Sequence, residues 1–198
     1  VSTPRRAAAV LAASEAACAF FVARGSTVAT VAELAAATGL NERTFHRYFP
    51  TKQDVVRPVL DWGAATMADT IVGRPELGVR DAVLASFAAI VGGDLAPRTR
   101  ALFPLVFSDP ALRAVLLAVY HDAEEELRSA IATRGVLAAD TTAGYVAATT
   151  LVGITRIALE RMVVAGDDPV ETLRASLDLL PGELVGDAAT RGKAPARN

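Results

Sequence analysis

Between Thr30 and Pro50 the chain is punctuated more closely than anywhere else, and this leaves little choice of local fold. Thr30-Val31-Ala32-Glu33 fits a capping box, in which a threonine hydroxyl and a glutamate carboxylate each satisfy an amide that a helix start leaves open. The helix it opens should stop at Gly39, a residue free to turn left-handed. Asn41 is a good N-cap for the next helix, and Pro50 interrupts that one. The spacing predicts two short helices joined by a tight turn. Leu34, Ala35 and Leu40 are apolar where one helix would cross the other. Phe45 and Phe49, one turn apart, point inward, which leaves Glu42, Arg43, Thr44, His46 and Arg47 facing out. A short helix braced across a partner, with arginine, threonine and histidine on its free face, is how a helix-turn-helix offers side chains to a major groove.

The helical reading extends along the whole chain. Alanine, leucine and valine supply most of the 52% hydrophobic content, and apolar positions recur mostly at three and four. A first helix is expected from Pro4 or Arg5 to Arg24, with Val10, Ala17, Cys18 and Phe21 on its inner face and Gly25 at its end. Thr51-Lys52-Gln53-Asp54 offers a weaker cap for a fourth helix. Behind a turn at Gly73-Arg74-Pro75, helical patterns cover roughly 77–95, 98–107, 109–134, 139–165 and 169–180. Breaks near Pro97, Ser108-Asp109-Pro110, Gly135 and Gly166-Asp167-Asp168-Pro169 separate them. From Pro181 the periodicity is lost and the chain is expected to fray. Neither an internal repeat nor a run of alternating strands is visible. The chain reads as all-α, with three short helices in front and about six behind.

The stretch Thr30-Val31-Ala32-Glu33-Leu34-Ala35-Ala36-Ala37-Thr38-Gly39-Leu40, followed by Thr44-Phe45-His46-Arg47-Tyr48-Phe49-Pro50-Thr51-Lys52, closely resembles the DNA-binding domain of TetR-family regulators. Phe21, Gly25, Thr30, Leu34, Ala35, Gly39, Leu40, Thr44, Tyr48, Phe49 and Lys52 all fall on that family's pattern, over about residues 5–57. Position 46 departs from it: the family usually has Tyr or Phe there, and this chain has histidine. A phosphate contact by a phenol hydroxyl is lost, and an imidazole could donate to a base edge or a phosphate in a pH-dependent way. The resemblance implies a helix-turn-helix domain over residues 1–54, a helical ligand-binding and dimerisation bundle over 55–181, and a disordered tail over 182–198. It further implies a cytoplasmic transcription regulator without cofactor, most simply a repressor released from a palindromic operator by a small effector.

Within that frame each front residue has an expected role. Arg43 lies near the helix start and can chelate the two acceptors of a guanine. Thr44 suits a thymine methyl or a phosphate. Tyr48 and Thr30 suit phosphates as donors, and Lys52 sits near a helix start whose amides also attract phosphate. With Glu42, His46 and Arg47 they make up the expected DNA-contact set. Charge distribution agrees with a local anion site. The net charge is −2, yet up to Asp54 six basic residues (Arg5, Arg6, Arg24, Arg43, Arg47, Lys52) face four acids (Glu15, Glu33, Glu42, Asp54).

The back of the chain is less specific. Phe87, Phe103, Phe107, Tyr120 and Tyr145 fall on helices that should surround an interior. Some of them are expected to line a small-molecule cavity, with Arg100 and Thr149, and also Thr150 and Arg156, as polar handles. Scarce Asn, Gln and His there point to an apolar or amphipathic effector. Val170, Leu173, Leu177 and Leu180 make an apolar stripe on the last helix, and Ala147, Leu151, Ile154, Ala158 and Met162 a matching one on the helix before it. The two stripes are expected to form a four-helix homodimer interface; the alternative is that both pack within their own chain.

Other classes find little support. The sequence shows no phosphate-cradling glycine loop, His-Glu helix motif or Gly-x-Ser-x-Gly elbow, and the two histidines lie far apart. His121, before Glu124-Glu125-Glu126, lacks a second histidine nearby and reads as a surface or pocket residue rather than a metal ligand. A helical hydrolase built from scattered carboxylates or a protein-binding helical adaptor remain as rivals. Cys18 is the single cysteine and is expected to be buried. Residues 5–24 begin basic, but Glu15 and Arg24 break any secretory signal pattern. The uncharged stretch from Thr141 to Thr155 is short of the ~20 residues a spanning helix needs, so no membrane partner is expected.

Overall fold

The structure, a computed structural model, describes residues 4–182. Among the described residues there are nine α-helices and no strand. They are α1 (Pro4–Arg24), α2 (Val31–Ala37), α3 (Glu42–Tyr48), α4 (Arg57–Gly73), α5 (Val79–Val91), α6 (Ala96–Ser108), α7 (Pro110–Thr133), α8 (Thr142–Ala165) and α9 (Pro169–Asp178), with 3-10 turns at Gln53–Val56 and Gly93–Leu95. The all-α expectation therefore holds. The expected helix over 77–95 gives way at Gly92 to a 3-10 turn, and α8 starts only where the Thr141 side chain accepts the Gly144 amide. Except for Pro181 and Gly182, the expected frayed tail lies outside the described residues.

The chain forms two compact units. The first holds the described residues up to Ala64 together with Asp94–Asp122; the second holds Ala65–Gly93 and the described residues from Ala123 on. The borders fall inside α4 and α7, so α6 and the start of α7 belong with the front helices.

In the first unit α2 and α3 are seven residues each. Helices shorter than about 12–15 residues are marginal alone in water, so their persistence rests on caps and burial. Thr30 and Glu33 close the capping box: the hydroxyl accepts the Glu33 amide at 3.2 Å and the carboxylate accepts the Thr30 amide at 2.8 Å. Arg24, in the last turn of α1, reaches Glu33 at 2.6 Å and fastens the end of one helix to the start of the next. Asn41 accepts the Thr44 amide at 2.8 Å. Both α1 and α2 end on left-handed glycines, Gly25 and Gly39. Beyond them Ser26 and Leu40 donate back to Phe21 and Ala35 at 3.2 and 2.9 Å, which satisfies carbonyls the helix ends would leave open. Leu34, Phe45 and Phe49 are then buried with Ala17, Cys18 and Phe21 of α1 in one core. Burial pushes the Cys18 thiol up to about 12, so it is an inert apolar filler at neutral pH.

A serine hydroxyl makes the junction between the 3-10 turn and α4. Ser14 Oγ accepts the Val59 amide at 3.3 Å and donates to the Val55 carbonyl at 2.6 Å. Those two backbone groups are four residues apart and would bond each other in a continuous α-helix. The hydroxyl, fully buried on α1, inserts between them.

The second unit packs α8 against α9 and α9 against α5, around Phe87, Leu151, Ile154, Ala158, Leu159, Leu173 and Leu177. Arg80 of α5 donates to the Leu177 carbonyl at 3.1 Å and pairs with Asp178, placing a cation at the C-terminal end of α9 where the helix dipole favours it. Arg134, just past α7, donates to the carbonyls of Ile71, Pro75 and Leu77 at 2.6, 3.2 and 2.7 Å and so grips the turn from α4 into α5. By length and composition α1 and α8 are apolar enough to cross a membrane, against the sequence expectation, though half of the apolar window of α8 is buried inside the protein.

Two outcomes follow. Ser14→Ala strands two buried backbone groups and should destabilise the protein by ~1–3 kcal/mol in urea unfolding, whereas substitution of exposed Glu15 should have little effect. The Glu33 carboxyl is held down at about 2, first by the Thr30 amide and then by the Arg24 side chain. A depressed carboxylate stabilises fully above its ordinary value; that contribution declines below this value and is lost as pH falls through about 2. In an NMR titration the Thr30 amide resonance should move with a midpoint near 2, and Glu33→Gln should abolish that movement.

Candidate nucleic-acid interface

On α3 the inward and outward residues separate cleanly. Phe45 is buried, and so is Phe49 just beyond the helix, their rings 5.0 Å apart. Glu42, Arg43, His46 and Arg47 are exposed, while Thr44 and Tyr48 are half-buried. The Arg47 guanidinium lies over the Tyr48 ring at 5.5 Å, so these two side chains are presented together. His46 meets the Phe45 ring edge-on at 6.1 Å. The α3 segment thus offers two guanidiniums and an imidazole on one solvent face, with an apolar face locking the helix down.

The remaining members of the expected contact set lie beside it in the same unit, and each already makes a contact. The Thr30 hydroxyl donates to Glu33 at 3.0 Å within the capping box. Lys52 Nζ donates to the Ala29 carbonyl at 3.1 Å, so its ammonium sits against the loop that leads into α2. That loop is also held from the α6–α7 corner: the Thr27 hydroxyl donates to Asp109 at 2.7 Å. Asp109 in addition accepts the Ala111 amide at 2.9 Å and the Leu112 amide at 3.3 Å at the start of α7. Burial pushes the Asp109 carboxyl up, but these hydrogen bonds and the nearby Lys52 charge outweigh it, and the net shift is downward. The Thr27–Asp109 link joins residues far apart in sequence, and nothing in the local pattern signalled it.

The expected effector residues divide between the units. Phe103, Phe107 and Tyr120 pack together on the first core, the two phenylalanine rings 6.1 Å apart; Arg100 is exposed on α6. In the second unit Phe87 is buried. Tyr145 and Thr149 are exposed rather than interior, because the buried arc of α8 runs through Ala147, Ala148, Leu151 and Ile154. The Tyr145 ring lies under the Arg128 guanidinium at 4.3 Å, and Thr149 donates to Glu124 at 3.1 Å. A groove of about 510 Å³ in this unit is lined by Ala65, Ala68, Asp69 and Val72 of α4 and Glu125, Glu126, Ser129, Ala130 and Thr133 of α7. None of the expected effector residues lines it. Its lining residues recur at helical spacing, but small side chains mixed with acids read in sequence as a solvated face rather than a groove.

The two apolar stripes are real, but they face each other within the chain. Leu151, Ile154, Ala158 and Met162 of α8 and Leu173 and Leu177 of α9 are buried in a single copy. Val170 and Leu180 are half-buried. The apolar residues that α8 and α9 leave outside are Tyr145, Val146, Ile157, Val164 and, just past α9, Leu179. Gly153, in the middle of α8, has open space where a Cβ would stand.

Comparison with known proteins agrees with this geometry. A model of bacterial regulatory proteins of the tetR family matches residues 14–59, and a model of the MftR C-terminal domain matches residues 74–184. No curated protein matches the chain significantly. Among solved structures, the Thermus thermophilus TetR-family repressor FadR in complex with lauroyl-CoA is 22% identical, covers 97% of this chain and 100% of its own, and has a TM-score of 0.57. A TetR-family regulator from Mesorhizobium loti is 18% identical, covers 89% and 96%, and scores 0.51. The multidrug binding protein EbrR, complexed with imidazole, is 18% identical, covers 90% and 92%, and scores 0.51. At these identities the likeness is one of fold. One family model lies on the helix-turn-helix and the other covers more than half of the chain behind it, so the protein belongs to the tetR family of bacterial regulatory proteins.

Proposed function

We propose that this regulator is a cytoplasmic repressor that binds a palindromic operator as a homodimer and is released by a small apolar or amphipathic effector. Residues 1–54 act as the reading domain and 55–181 as the effector and dimerisation domain. The observation that carries the reading is α3: Arg43, His46 and Arg47 are exposed on a helix whose Phe45, with neighbouring Phe49, is buried. In this assignment Arg43 reads a base edge, Thr44 and Arg47 support it, and Thr30, Tyr48 and Lys52 hold phosphates. Lys52 and Thr30 would exchange their present contacts for phosphate oxygens.

Two copies are needed because one such helix buries too little DNA for tight specific binding. The surface that supports pairing is the outward face of α8, where Val146, Ile157 and Val164 are exposed around Gly153. Glycine in a helix interior costs about 1 kcal/mol relative to alanine, and no packing among the described residues requires it. A second α8 crossing there would give it a role. The effector class is supported by Phe103, Phe107 and Tyr120, half-buried aromatics on one core, and by the lauroyl-CoA held by the Thermus thermophilus neighbour, an acyl chain with a polar head.

Selection of bound duplexes from a random library tests the whole reading, with a palindrome as the expected product. On the selected duplex Arg43→Ala should cost ~1–3 kcal/mol and relax preference at one base position. Lys52→Ala should weaken selected and random duplexes alike and make the salt slope shallower by about one unit. Equal losses on both duplexes for Arg43→Ala would remove it as a base reader. Ile157→Asp with Val164→Asp should turn the wild-type dimer into monomers in analytical ultracentrifugation while far-ultraviolet circular dichroism stays unchanged. Sedimentation of the wild type as a monomer at micromolar concentration would sink the pairing.

A further inference from the structure

We infer that His46 makes operator binding depend on pH: the imidazolium is a DNA contact that the neutral ring only partly replaces. This rests on the reading of α3 as the helix that meets DNA. His46 is exposed on the same face as Arg43 and Arg47, and its ring meets that of Phe45 at 6.1 Å with the planes 85° apart. The imidazole is therefore open to the solvent where DNA would lie. A neutral imidazole offers one donor and one acceptor; a protonated one offers two donors and a positive charge. Phosphate oxygens and the guanine edge present acceptors only, so the charged form suits both.

The surroundings leave DNA as the group that responds to protonation. Glu42 stands one turn before His46 on the same helix, and Arg43 and Arg47 flank it. His46 also lies in the last turn of α3. Charges on the neighbouring elements are engaged elsewhere. Glu33 of α2 is bound by Arg24 and Thr30, Asp54 by the amide and hydroxyl of Thr51, and Lys52 by the Ala29 carbonyl. Histidine is the side chain whose charge ordinarily changes between pH 5 and 8, and a charged hydrogen bond is about twice as strong as a neutral one.

The test measures fluorescence anisotropy of a duplex selected by the wild-type protein from a random library, between pH 6 and pH 8. Wild-type affinity should be roughly five- to tenfold higher at pH 6, and the salt slope should be steeper there by about one unit. His46→Gln, which keeps a donor but does not titrate, should flatten both dependences. His46→Arg, which keeps the charge at every pH, should retain tight binding at pH 8. Equal pH dependence in wild type and His46→Gln overturns the inference alone. Failure of the wild type to bind any duplex at any pH overturns it together with the reading of α3.

Discussion

The front of this protein depends on the burial of Phe45 and Phe49. Each sits on or beside a helix too short to hold itself, and each is buried in one core with Leu34, Ala35 and the inner face of α1. Fully burying an aromatic side chain contributes roughly 1.5–3 kcal/mol, so the two rings together outweigh the caps at Thr30 and Asn41 at about 1 kcal/mol each. Once those two rings are fixed, the helical period sets where every other side chain of α3 points. Arg43, His46 and Arg47 face outward because Phe45 faces in. The polar contacts around the segment then fix its neighbours: Arg24 on Glu33, Lys52 on Ala29, and Thr27 on Asp109.

In the second unit the same logic runs through α8. Its buried arc of alanine and leucine lets α9 approach closely, and Arg80 closes the far end. That arc also explains why a helix with the composition of a membrane span is at home in a folded bundle: its apolar side is occupied by its own neighbours. What remains outside is a narrow set of apolar residues around a glycine, and the dimer proposal is confined to that set.

Signals written in adjacent residues were legible before any coordinates. Caps at Thr30 and Asn41, glycine ends at Gly25 and Gly39, and the inward pair Phe45 and Phe49 each need only a short window, because the physics they report is local. The span of α1, expected from Pro4 or Arg5 to Arg24, was legible for the same reason. Partner identity was not legible. The periodicity of Leu151, Ile154, Leu173 and Leu177 says that one face of each helix is buried, but a neighbour in the same chain and a neighbour in another copy leave the same pattern. Tyr145 shows a related limit. An aromatic residue on an amphipathic helix is expected inside, yet here the small residues beside it take the interior and the ring stacks under Arg128 at the surface. The Ser14 bridge and the Thr27–Asp109 link join residues far apart in sequence, so no window could contain them.

Arg134 grips the turn between α4 and α5 entirely through main-chain oxygens. Such a grip reads the path of the chain and ignores what the side chains are. Positions 74–77 are therefore free to drift in sequence as long as the turn keeps its course, while the arginine itself is not free to change. Variation in homologous chains would collect on the gripped segment, and constancy on the single side chain that holds it.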